Sequence, residues 1–203
     1  MKIAIIGATG NVGSRLTEEA VRRGHAVTSL ARKASALPAR DGVTTRDVDI
    51  ADAPALTQAL AGHDVVISTV RFLQTSAAQI TAAVKAAGVQ RLLVVGGAGS
   101  LYVAPGVQLV DTPSFPDAYK AEASAGRDFL NALRGETSLD WTFLSPSALF
   151  TPGERAGRFR LGKDDLLTAA DGKSWISMED YAIAMLDEIE QPRHVRARFT
   201  VGY

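Results

Sequence analysis

Three glycines at equal spacing stand in the run Gly7-Ala8-Thr9-Gly10-Asn11-Val12-Gly13. They follow an apolar, β-branched stretch from Lys2 to Gly7 and precede residues Asn11 to Arg23, in which Val12, Leu16, Ala20 and Val21 recur at helical spacing. A strand, a glycine turn and a helix in that order make an anion site, because the free amides and the dipole at the helix start both favour negative charge. Gly7 allows the sharp turn out of the strand, Gly10 lets a pyrophosphate approach the backbone, and Gly13 lets the helix pack closely on the sheet. With Thr9, Asn11 and Val12 completing the loop, the chemistry expected is dinucleotide binding. The alternative is a glycine turn that holds no ligand.

Charge about 20 residues further on bears on which dinucleotide is held, since an acid there serves the ribose hydroxyls of NAD. The second strand instead ends Ser29-Leu30-Ala31-Arg32-Lys33. Arg32 and Lys33 are suited to a 2′-phosphate, so NADP(H) is expected over NAD(H). A solvated basic turn is the competing reading, above all for Lys33. Thr69, Val70 and Arg71, after the fourth strand, are expected to wall the cofactor, with a plain surface cation as the alternative for Arg71.

The elements that must position these residues alternate along the chain. Strands are expected near Ala26 to Ala31, Val43 to Val48, Asp64 to Val70 and Arg91 to Gly96, and helices over Asp52 to Ala61, with Pro54 in the first turn, and Ser76 to Ala87. Such alternation predicts right-handed crossovers and an α/β, Rossmann-type doubly wound parallel sheet in the order 3-2-1-4-5-6, with a small C-terminal portion on the substrate side. After Gly96 regularity lapses until a helix from Asp117 to Arg134. Trp141 to Leu144 reads as a sixth strand, Ser147 to Lys163 as a second irregular segment, Met178 to Glu190 as a helix and Arg198 to Val201 as a closing strand. The two long loops fall at the carboxyl edge, where ligands bind in open α/β folds. In the second, Phe150, Arg155, Arg158, Phe159 and Arg160 could stack on a flat ring and meet an anion, or be a hydrated surface loop.

Composition narrows the rest. The 203 residues, 46% hydrophobic and 22% charged, suit one soluble NAD(P)-binding domain over 1–203. Lys plus Arg equals Asp plus Glu at 22 each, so neither nucleic acid nor an anionic membrane is an expected partner. The chain has no cysteine, which removes thiolate chemistry and means that redox equivalents must come from a cofactor. The apolar start is too brief for a signal peptide, and a cytoplasmic protein, monomer or homodimer, is expected. His25, His63 and His194 lie at presumed element ends, are expected to be exposed, and lack metal-ligand spacing.

With these residues in view, the chain resembles the short-chain dehydrogenase/reductase superfamily, in particular its atypical NmrA-like branch and the small proteins provisionally described there as NADH-flavin reductases. The resemblance covers nearly the whole chain, through the glycine loop, Asp47-Val48-Asp49, Val94-Val95-Gly96-Gly97-Ala98-Gly99-Ser100-Leu101, Ile176-Ser177-Met178-Glu179-Asp180-Tyr181-Ala182 and Arg198-Phe199-Thr200-Val201-Gly202-Tyr203. It implies that Asp49 hydrogen-bonds the adenine amine with the Ile50 backbone beside it, a helix cap being the other role open to Asp49. It also implies that Gly97 and Ser100 border the nicotinamide.

Carbonyl reductases of the superfamily use Tyr-x-x-x-Lys with a serine, because a forming alkoxide needs a proton donor. This chain lacks the pair: Tyr119 is followed four positions later by Ala123, and Lys120 sits beside Tyr119 and points elsewhere on a helix. Counting back from the sixth strand puts Glu122 near the tyrosine position and Gly126 near the lysine. A flavin or quinone-like acceptor, such as FMN or FAD, spreads incoming charge over a conjugated ring and depends less on a dedicated acid. The expectation is an NADPH-dependent reductase of such an acceptor, with Ser100, Tyr102, Tyr119 and Lys120 as candidate proton donors, each also open to a structural role. The alternative from a different class is a non-catalytic NADP(H)-binding redox sensor of the NmrA type.

Overall fold

In β1 (Lys2–Ile6), Ile3 and Ile5 enter one apolar layer while Ala4 and Ile6 enter another, since successive side chains of a strand point to opposite faces. A strand buried on both sides needs helices on both sides. The computed structural model, which describes all of Met1–Tyr203, supplies them.

The first half runs β1, α1 (Asn11–Arg22), β2 (Ala26–Ala31), β3 (Val43–Asp47), α2 (Ala53–Leu60), β4 (Val65–Ser68), α3 (Ala77–Ala86) and β5 (Arg91–Val95). The second runs β6 (Tyr102–Ala104), β7 (Val107–Gln108), α4 (Asp117–Arg134), β8 (Asp140–Pro146), β9 (Leu149–Thr151), β10 (Arg160–Gly162), β11 (Trp175–Ser177), α5 (Met178–Glu190) and β12 (Ala197–Gly202). Eight strands form one sheet in the order β10-β12-β8-β5-β4-β1-β2-β3. All neighbours are parallel except β10, which lies antiparallel on β12. The order expected from sequence is therefore present as β3-β2-β1-β4-β5-β8, and the closing strand extends it. Leu56, Ile80 and Phe129 bring α2, α3 and α4 onto one face, and Leu16 and Tyr181 bring α1 and α5 onto the other. No helix is long and apolar enough to cross a membrane.

The two stretches expected to be irregular contain short strands. β6 and β7 make an antiparallel ribbon, β9 pairs in parallel with β11, and β10 forms the sheet edge. Strands of two or three residues carry too little alternation to be read locally, and β9 meets its partner only after a long excursion of the chain. The histidines also differ from expectation, each being partly covered and bonded. His25 Nε2 lies 2.9 Å from Glu190 Oε1, and His63 Nε2 2.7 Å from Thr28 Oγ1. His194 stacks on Phe199 and places Nδ1 2.8 Å from Glu188 Oε2. Neighbouring loops and helices fold over these element ends, which a count of element boundaries does not register.

Candidate functional site

Strand order reverses between β1 and β4, with β2 and β3 to one side and β5 and β8 to the other. The crevice at such a switch point is where α/β sheets bind ligands. Here it is a cleft of about 870 Å3 lined by residues that follow β1, β2, β3 and β4.

The glycine loop shapes one wall by close backbone approach. Gly7 has φ +84°, a region that favours glycine, and a Cβ there would lie 2.5 Å from Thr69 Oγ1. The Thr69 hydroxyl in turn donates to the carbonyls of Ile6 at 2.9 Å and Gly7 at 3.0 Å, tying the turn to the end of β4. A Cβ on Gly13 would collide with the Gly7 carbonyl and lie 2.8 Å from Ala8 Cα, so α1 sits against the loop at a distance only glycine allows. Gly10 is the N-cap of α1, provides no side-chain cap, and no acid follows in the first turn. By contrast α2, α3 and α5 are capped by Asp52, Ser76 and Ser177. The first amides of α1 thus have no side-chain cap, and the positive end of its dipole lies at the cleft.

Ten of the residues singled out in the sequence line this cleft together: Gly7, Thr9, Gly10, Arg32, Lys33, Asp49, Ile50, Thr69, Val70 and Arg71. Asn11, Val12 and Gly13 form the first turn of α1 behind them. Arg32 and Lys33 are exposed at the cleft edge and enter no ion pair within the chain. Asp49 is not the cap of α2, since Asp52 accepts from the Ala55 amide at 3.0 Å while Asp49 accepts from Ala51 two residues on. Its carboxylate stays at the cleft. Ala51 and Gln74 also line it and carried no signal in the sequence.

A second pocket, of about 520 Å3, opens next to the first where Arg71 gives way to Phe72. Its floor is the glycine-rich end of β5 from Gly96 to Ser100, its far wall is α4 through Tyr119, Glu122, Ala123 and Gly126, and Phe72, Phe115 and Leu149 complete it. Small residues bring α4 down onto this floor: a Cβ on Gly99 would lie 2.8 Å from that of Ala123, and one on Gly126 2.8 Å from the Phe72 ring. Glu122 accepts from the amides of Phe72 at 2.7 Å and Leu73 at 3.1 Å, so its carboxylate fixes the Phe72 turn. Phe72, Phe115 and Leu149 were missed in the sequence. Phe72 directly follows the noted Arg71, whereas Leu149 arrives only through the β9–β11 pairing.

Gly97, Ser100 and Tyr119 all border this second pocket, but Lys120 does not, because it projects from another side of α4 and is exposed. Tyr119 is 64% exposed at the mouth. Ser100 is buried, and its oxygen accepts from Arg198 Nη1 at 3.3 Å. Tyr102 lines a separate cavity beside Pro105 and Asp165. In the second loop Ala148 and Leu149 reach this pocket, but Arg155, Arg160 and Phe150 are engaged elsewhere. Arg155 binds Glu19 with two nitrogens at 2.8 and 2.9 Å, and Arg160 donates to the carbonyls of Thr168 and Tyr203. The Phe150 ring packs on Tyr181. Glu179 and the buried Asp180 accept from the amides of Gly153 and Gly157, which pins this loop to α5.

Comparisons with known proteins agree with this geometry. A family model described as NAD(P)H-binding matches residues 7–192. Three bacterial structures superpose over the full chain. One, from Burkholderia pseudomallei, is 50% identical with a TM-score of 0.90 and is covered over 100% of its length. One from Bacteroides thetaiotaomicron is 42% identical, TM-score 0.94, covered over 96%, and one from Streptococcus pneumoniae 35% identical, TM-score 0.84, covered over 99%. Their names, all provisional, are an exported protein, an epimerase and an NADH-flavin reductase respectively. The family model covers most of the chain, and the chain belongs to the NAD(P)H-binding family.

Proposed function

We propose that the protein is an NADPH-dependent oxidoreductase that passes hydride to a flavin or quinone-like acceptor without a Tyr-x-x-x-Lys pair. The observation that carries this reading is the meeting of two unlike clefts over the carboxyl ends of β1 to β5, one rich in free amides and cations, the other walled by rings. The glycine cradle fits a dinucleotide pyrophosphate, with the amides at the start of α1 as its donors. In this reading Arg32 and Lys33 hold the 2′-phosphate, Asp49 and Ile50 meet the adenine, and Thr69, Val70, Arg71 and Gly97 wall the remainder. Bound NADPH supplies the hydride, so that acceptor, NADPH and one proton become reduced acceptor and NADP+. The contribution of the chain is to hold two flat rings in contact range and to exclude other orientations, an effect that can supply several kcal/mol, up to roughly 7–11, in well-aligned cases.

Near the places that counting back from β8 gives for the superfamily pair, α4 carries Glu122, whose carboxylate is engaged by two amides, and Gly126, which has no side chain. Ser100 and Tyr119 remain as donors at the pocket, and water reaches its open mouth. That set suits an acceptor whose ring spreads incoming charge better than it suits an isolated ketone or a sugar epimerisation. The test is NADPH oxidation by purified protein with no acceptor, with FMN or FAD, and with small quinones. Acceptor-dependent turnover that Gly10→Asp abolishes is the expected result. Tight NADPH binding with no consumption under any acceptor contradicts it and leaves a redox sensor as the reading to pursue.

A further inference from the structure

The two clefts differ in charge as sharply as in shape. The cofactor cleft presents Arg32 and Lys33, which have no carboxylate partner, together with an uncapped helix start, while Arg71 stands between the two clefts with its Nε 3.9 Å from Glu122 Oε1. In the second pocket the charged lining residues are Glu122 and Arg127 alone, and both are engaged within the chain. Glu122 takes the Phe72 and Leu73 amides, and Arg127 Nη1 donates to both carboxylate oxygens of Asp111 at 2.9 and 3.0 Å. The helix that begins at the pocket mouth is also uncapped, but it differs from α1 in carrying Asp117 in its first turn, which disfavours an anion there, and the Tyr119 amide is taken by the Pro116 carbonyl at 3.1 Å. The exposed lining at the rim carries no cation free of a carboxylate: Tyr119 and Leu149 stand there at 64% and 57% exposure beside the hydroxyls of Ser114 and Ser174.

We infer that the acceptor is an uncharged, flat, conjugated ring, a quinone or an isoalloxazine without a phosphate, and that flavin nucleotides are discriminated against. This rests on the acceptor-site reading above and narrows it. A phosphate carried over this rim loses water against Leu149 and Tyr119 and gains no unpaired cation in return, which is unfavourable. A neutral ring instead buries both faces against Phe72, Phe115 and the glycine floor of β5, where aromatic contact favours it. The electron count is that of the proposed reaction: a neutral quinone takes two electrons as hydride plus one proton from water and leaves as the hydroquinone.

Riboflavin and FMN test the inference cleanly, since they share one ring system and differ by the phosphate. With the protein saturated by unreactive NADP+, binding of each is read from quenching of flavin fluorescence, and a neutral naphthoquinone is measured by displacement of riboflavin. Riboflavin is expected to bind about tenfold more tightly than FMN, a ratio equivalent to ~1.4 kcal/mol. Leu149→Arg, an exposed substitution that places a cation at the rim, is expected to narrow that gap by strengthening FMN binding relative to riboflavin. Equal or tighter FMN binding by the unaltered protein overturns the inference about charge. Failure of all three probes to bind while NADPH still does overturns the acceptor site itself, so the two failures are told apart.

Discussion

At the scale of single residues the cofactor cleft is defined by what is withheld. Gly10 withholds a cap from α1, Gly13 withholds a side chain from the contact with Ala8, and Arg32 and Lys33 are left without carboxylate partners. If Arg32 meets a 2′-phosphate, removing it should affect one cofactor and spare the other. Arg32→Ala is expected to weaken NADPH binding by about tenfold or more and NADH binding by less than about threefold, measured by calorimetric titration of both. Equal losses would remove the 2′-phosphate assignment. Of the ten lining residues named from the sequence, Gly7, Thr9 and Gly10 follow from a strand, a glycine turn and a helix, Arg32 and Lys33 from charge about 20 residues on, and Thr69, Val70 and Arg71 from their place after the fourth strand, whereas Asp49 and Ile50 came only through the family resemblance. Ser100, Tyr119 and Lys120 could be named only as candidates. Which of Tyr119 and Lys120 reaches the second pocket depends on the rotation of α4, and that is set by small residues, Ala123 and Gly126, packing on Gly99 and Phe72.

At the scale of elements, charge joins α1 to the segment after β9 and to α5. Glu19 of α1, 3% exposed, is bound by Arg23, the C-cap of the same helix, and by Arg155 of the later loop. Burial pushes its carboxyl upward, but hydrogen bonds from Arg155 and Arg23 outweigh burial and hold it below the ordinary glutamate range. A carboxyl depressed in the folded state contributes stability that is present above its unfolded pKa and lost as pH falls through the folded value. The melting temperature is therefore expected to drop as pH is lowered below about 4, the ordinary glutamate range. Glu19→Gln should lower it near neutral pH and flatten the acid limb. Glu179 and Glu190, also held low and also bonded to arginines of α1 and its C-cap, should leave part of that limb in place. An unchanged acid limb in the variant would show that Glu19 does not carry the effect. The arginines of this loop were noted in the sequence as possible ring or anion partners. Their role in the seam was not legible, because Glu19 and Arg155 are 136 positions apart and meet only once α1 and α5 share a face.

At the scale of the molecule, a doubly wound sheet brings the ends of β1 to β5 to one edge and lays an anion-seeking cleft beside an aromatic one. The sheet order was legible because β-branched runs alternate with capped helices, whereas the short strands β6, β7, β9, β10 and β11 depend on partners the local pattern does not name. The central claim is that hydride held in the first cleft leaves for an acceptor in the second. A single-turnover experiment tests it most directly. Protein is mixed with less than one equivalent of NADPH, a quinone or flavin is added rapidly, and the reduced nicotinamide absorbance is followed. The expected result is a decay whose rate rises with acceptor concentration and then saturates, which is the signature of an acceptor that binds before it reacts. Bound NADPH that keeps its absorbance at every acceptor concentration would contradict it.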